Sequence, residues 1–74
     1  MNTKEQVQSF ILAAARSLSG PRYEWEFSAD DLLDETMPRV IPFYKIDRFE
    51  VAAQLQALIT NGTFKITPSG HLKV

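Results

Sequence analysis

The run DRFEVAAQLQALITNG (Asp47 to Gly62) and the TFKITPSGHLKV that follows it (Thr63 to Val74) restrict the fold of this chain more than any other feature. Asp47 in the N-cap position with Glu50 three residues later makes a capping box, and Ile46 with Val51 matches a hydrophobic staple. Asn61 and Gly62 end the helix. Phe64 and Ile66 then alternate with polar residues, Pro68, Ser69 and Gly70 make a turn, and Leu72 and Val74 alternate on the return, which is the pattern of a β-hairpin. With the apolar residues inward, Lys65, Thr67, His71 and Lys73 all face outward. A helix therefore has to deliver the chain directly into a ribbon with a basic face.

Upstream the signals are of the same kind. Thr3 as N-cap with Gln6 three positions on opens a helix whose Val7, Phe10, Ile11, Ala14 and Leu18 share one stripe, and Gly20-Pro21 stops it. YEWEF alternates aromatic and acid, so a strand is expected with Tyr23, Trp25 and Phe27 on the core side and Glu24 and Glu26 opposite. SADDLLDE reads as a short helix capped by Ser28, with Asp30 and Asp31 in the first turn where the helix dipole favours acid. Its carboxylates have neither the glycine-turn spacing of a Ca loop nor a neighbouring histidine, so a solvated acidic helix accounts for them without a metal. TMPRVIPFYKI (Thr36 to Ile46) carries Pro38 and Pro42 among Met37, Val40, Ile41, Phe43 and Tyr44, and is expected to be an ordered, packed connection with at most a short turn of helix.

Seventy-four residues make one domain, 1–74, with one core, and a chain of this size buries only roughly 60% of its unfolded surface. With no cysteine, disulfides are excluded and the commonest structural zinc sites lose their main ligand, which leaves oligomerisation or a partner as the helper for a small core. The longest apolar run, Ile11 to Ala15, is far short of a bilayer span, and MNTKEQVQSF lacks the basic start and long apolar run of an export signal. A cytoplasmic protein, a phage or mobile-element accessory protein or a bacterial regulator, is the expectation. Charge is uneven: up to Glu35 three basic residues face seven acids, a net of −4, and from Thr36 onward five face two, a net of +3. No cysteine nucleophile, glycine-rich phosphate loop or metal-ligand cluster is visible, and His71 beside the turn residue Ser69 has no evident carboxylate partner, so neither an enzyme nor a cofactor is expected.

Helix, strand, two helices and a terminal hairpin is an order that resembles winged helix-turn-helix domains from about Glu24 onward, with FSADDLLDE as strand and second helix, DRFEVAAQLQALITNGTFKIT as third helix and first wing strand, and GHLKV closing the wing. The resemblance implies an α+β fold, three helices with a small antiparallel sheet in the order α-β-α-α-β-β. It also implies duplex DNA as the partner, with the third helix in the major groove and the wing on the backbone or minor groove. The connection between the second and third helices is longer and more apolar than the family's usual tight turn.

At about 100° per residue, Val51, Ala52, Leu55, Leu58 and Ile59 gather on the core side of this helix, and Phe49, Glu50, Ala53, Gln56, Ala57 and Thr60 lie opposite. Gln56 can pair with adenine, while Arg39, Lys45, Arg48, Lys65, Lys73 and, when protonated, His71 are the candidate phosphate contacts. Tight DNA binders make about 6 to 10 such contacts, so a homodimer would double a short supply. Phe49, Ala53 and Ala57 form a second apolar stripe at i, i+4, i+8. Either MPRVIPFY folds over that stripe or a protein partner does. The second case is a protein-binding winged helix, an adaptor, inhibitor or dimerising accessory protein.

Overall fold

Helix α1 spans Thr3–Ser19 and forms the layer against which both other helices pack. Val7, Ile11, Ala14 and Ala15 are buried on one stripe, and the two alanines let neighbouring backbones approach. Phe10 and Leu18, expected in that stripe, sit at its margins and are only partly buried. The computed structural model describes residues 3–74. Thr3 is already helical there instead of standing outside the helix as a cap.

The turn after α1 replaces most of the expected YEWEF strand. Gly20 adopts φ +80° and Tyr23 φ +54°, which fold the chain back so that the Trp25 N–H donates to the Ser19 carbonyl at 3.1 Å. That donor satisfies one of the carbonyls a helix C-terminus leaves free, and is thereby lost to a sheet. Tyr23 and Trp25 are exposed, and the indole lies over Gly20, where a Cβ would come within 2.6 Å of the ring. Only Phe27 keeps the strand role, exchanging both backbone hydrogen bonds with Leu72 at 3.0 and 2.7 Å.

Helix α2 runs Ala29–Val40, with the Ser28 hydroxyl accepting from the Asp31 N–H at 3.0 Å. It continues through Pro38, well past the short helix expected. Proline removes a ladder bond and crowds the preceding turn. The helix persists because Leu32, Leu33, Thr36 and Val40 are buried on both sides of Pro38 and pack it into the core, so tertiary burial outweighs local propensity. The Thr36 and Ser19 hydroxyls, both fully buried, donate to the carbonyls of Leu32 and Ala15 four residues back, at 2.7 and 2.6 Å. The rest of the expected packed connection is largely on the surface: Ile41, Pro42 and Phe43 are exposed, with Phe43 stacked on Phe10 at 5.6 Å between ring centroids.

Helix α3 (Arg48–Thr60) leads into β1 (Lys65–Ile66), which pairs antiparallel with β2 (Leu72–Lys73) in the register Lys65 to Lys73 and Ile66 to Leu72. The spatial order is therefore Phe27, β2, β1. Phe64 and Leu72 anchor the ribbon in the core, and Phe64 meets Phe27 edge-on with centroids 6.1 Å apart. The result is a small α+β fold of three helices and a two-stranded antiparallel sheet.

Candidate nucleic-acid interface

α3 begins as its local chemistry requires. The Asp47 carboxylate accepts from the Glu50 N–H at 2.9 Å, and Ile46 packs on the core beside buried Val51. The core side holds Val51, Leu55 and Leu58, flanked by partly buried Ala52 and Ile59. Gln54 joins them, buried where an alternation of polar and apolar residues gave no hint of it. It accepts a hydrogen bond from the Gln8 side chain of α1 at 3.1 Å, which satisfies an otherwise costly buried amide.

The opposite face of α3 is open. Phe49 is 86% exposed, and Ala53, Gln56, Ala57 and Thr60 are exposed with it. MPRVIPFY does not cover this stripe, because α2 takes up Met37 to Val40 and Phe43 stacks on α1 instead. Among the described residues Gln56 makes only a long contact to the Thr60 hydroxyl, 3.4 Å. Glu50 lies on the flank toward α1, lining a surface cleft with Lys4, Lys45 and Gln54.

The candidate cations divide into two groups. Arg48 turns toward α2, where its guanidinium binds the Asp34 carboxylate and lies 3.6 Å from Asp30. The hydrogen bond to Asp34 raises the Arg48 pKa above its ordinary value, and the pair lies at the surface. Arg39 bonds both the carbonyl and the carboxylate of Glu35, at 2.6 and 3.0 Å. Lys45, Lys65 and Lys73 have no hydrogen bond or ion pair of this kind among the described residues, and Lys45 and Lys65 are exposed.

Lys65 and Lys73 are direct cross-strand partners and so project from the same face of the ribbon. Like charges placed opposite one another are unfavourable in a sheet. At the ribbon's tip, the Thr67 N–H donates to the His71 carbonyl at 2.8 Å, and the His71 N–H donates to the Thr67 hydroxyl at 3.2 Å. The Ser69 hydroxyl lies 3.0 Å from His71 Nδ1 and donates to Glu26 Oε2 at 3.2 Å. Glu26 is thus a carboxylate partner for this pair that lies far from it in sequence. The signal was there in part: if Phe27 pairs with Leu72, the two-residue period of a strand places Glu26 on the lysine face. The carboxylate touches the serine and not the imidazole, so this is not the order in which a carboxylate orients a histidine base.

The expectation that all apolar ribbon residues point inward fails at Ile66, which is 64% exposed, and at Val74, which is 40% exposed. The partner of Ile66, Leu72, is buried between Phe27 and β1, whereas Ile66 is on the outer edge strand. Among the described residues no helix is long and apolar enough to cross a membrane. Comparison with protein-family models, with curated proteins and with solved structures finds no match to this chain.

Proposed function

We propose that the protein is a small winged helix-turn-helix module that binds duplex DNA, with α3 presented to the major groove and the β1–β2 ribbon to the backbone. The observation that carries this reading is the pairing of Lys65 with Lys73 on one face of a ribbon that directly follows α3. Like charges on cross-strand partners are unfavourable, Glu26 on the same face offsets only part of that, and a phosphate at the two lysines relieves the rest. The spatial order Phe27, β2, β1 supports the winged architecture, since Phe27, just before α2, bridges to β2 on the side away from β1. Binding is weak and non-catalytic in this reading, because Arg39 and Arg48 are already neutralised by acids of α2. Fluorescence anisotropy with a random duplex at low ionic strength tests it, and undetectable binding there ends the proposal.

A second reading rests on the open stripe of α3. Phe49 is too exposed to be serving the core, and with Ala53 and Ala57 it offers an apolar strip on which a partner protein, or a second copy, would pack. Sedimentation of wild type and Ala53→Glu discriminates the two: this reading requires an assembly that the glutamate breaks.

A further inference from the structure

The first turns of α1 and the start of α3 line a cleft of about 450 Å³, a size within the range of about 300–1,000 Å³ that small-molecule sites occupy. Buried Val7 and half-buried Ile46 give it an apolar wall. Gln54 lines it too, although only 8% of that residue is exposed. Its Oε1 accepts from the Gln8 amide at 3.1 Å, and its own NH2 group has no hydrogen bond to a described residue. Among the described residues no fully buried side-chain nitrogen or oxygen lacks a partner, so this NH2 is reached from solvent, and the cleft is the opening that Gln54 lines. Gln8 thus holds in place a deeply set donor whose hydrogen bond nothing in the described chain takes up. Around it stand Lys4, Lys45 and Glu50, all exposed, and none of these side chains has a hydrogen bond or ion pair to a described residue. The other acid of the lining, Asp47, is already used by the α3 cap, accepting from the Glu50 N–H at 2.9 Å.

Two lysines and two acids make the lining neutral as a whole, yet its opposite charges do not pair with one another. Such a lining suits a ligand that carries both signs. A simple anion would meet the Glu50 carboxylate and a simple cation the two ammonium groups, whereas a zwitterion answers each with its opposite. The N-terminal ends of α1 and α3 both open here, and their dipoles add to the pull of the lysines on a carboxylate. We infer that the cleft is a binding site for an α-amino acid with an apolar side chain. The ligand carboxylate goes to Lys4, Lys45 and the Gln54 NH2, its ammonium to Glu50, and its hydrocarbon chain to Val7 and Ile46. This site depends on neither of the roles proposed for the open stripe of α3.

The test is an NMR titration of the isotope-labelled protein with leucine and with two analogues that each lack one charge: isocaproate, without the ammonium, and isoamylamine, without the carboxylate. Leucine is expected to shift the backbone amides of Ile46, Glu50 and Gln54 with a Kd of roughly 1 mM, which a ligand of its size readily supports. Each analogue should bind about 10-fold or more weakly, for the loss of one hydrogen-bonded charge. Glu50→Gln, which keeps a residue suited to the capping box, should weaken leucine about 10-fold and strengthen isocaproate, because the acid opposing the anion is gone. Lys45→Gln should weaken both. Gln54→Met should cost leucine about 3- to 10-fold; it also unpairs Gln8, and if it fails to fold the two surface variants decide. Amides that do not shift at about 20 mM leucine, methionine or phenylalanine overturn the inference. Isocaproate binding as well as leucine or better overturns it too, since the site is then not one for a zwitterion. So does a leucine affinity that neither Glu50→Gln nor Lys45→Gln alters.

Discussion

Removing the two ribbon lysines, Lys65→Gln with Lys73→Gln, should flatten the salt dependence of DNA binding by an amount the structure specifies. The candidate cations left free are Lys45, Lys65 and Lys73, since Arg39 and Arg48 are held by Glu35 and Asp34. Each phosphate neutralised contributes about −0.9 to the slope of log K against log salt. Wild type should therefore show a slope of about −2.7, which between 50 and 200 mM salt is a loss of about 40-fold, against the 10³ to 10⁵ of proteins with a full set of contacts. The double variant should fall to a slope of about −0.9 and lose only about 3.5-fold over the same range. The substitutions do not threaten the fold, because they remove a pair of like charges directly opposite each other. Thermal melting should be unchanged or slightly raised. The assay is anisotropy of a labelled duplex of about 20 base pairs, long enough for both α3 and the ribbon. A wild-type slope steeper than about −5 would show that cations beyond the free ones reach phosphate, and a double variant with an unaltered slope would show that the ribbon does not touch the backbone at all.

Three other perturbations follow from the same geometry. Asp34→Asn releases the main hold on Arg48, so the slope should steepen by about 0.9, and an unaltered slope would mean that the freed guanidinium faces no phosphate. Gly20→Ala forces a side chain into φ +80° and against the Trp25 indole, so about 1–3 kcal/mol of stability should be lost, which a melt reads as about 5–20 °C. Trp25 is the sole tryptophan, so a shift of its emission should accompany that loss, and unperturbed fluorescence would contradict the packing described. Phe64→Ala removes the largest fully buried side chain, at a cost of about 3–5 kcal/mol, in a domain of this length expected to hold only about 4–11 kcal/mol in all. Calorimetry should find the transition lowered by about 12–40 °C, and a Tm within a few degrees of wild type would refute the ribbon's role as a core anchor.

Much of α3 and of the ribbon's basic face was legible in the residues themselves. Asp47, Glu50, Val51, Leu55 and Leu58 specify a cap and a buried face through interactions within a few positions of each other, and the turn at Pro68 to Gly70 sets which residues of the hairpin share a side. Phe49, Ala53, Gln56 and Ala57 fell on the open face for the same geometric reason. Local patterns of this sort fail where a distant group decides. YEWEF has a strand's alternation, yet its backbone donor at Trp25 was claimed by the end of α1. Pro38 argues against a helix, and burial of Thr36 and Val40 on either side overrides it.

The charges show the division most plainly. Composition could count the basic residues but not their partners, and Arg48 and Asp34 lie 14 residues apart, on different helices. Whether a guanidinium is free for a phosphate depends on which carboxylate the packing of α2 against α3 brings within reach. Likewise Glu26 and Ser69 meet across 43 residues only because Phe27 joins the ribbon. Helix caps, periodicity and turn residues act over one or two turns of chain and are written in the sequence. Availability of charge, exposure of Ile66 and Phe43, and the cluster at the ribbon's tip depend on contacts that exist only once the helices have packed.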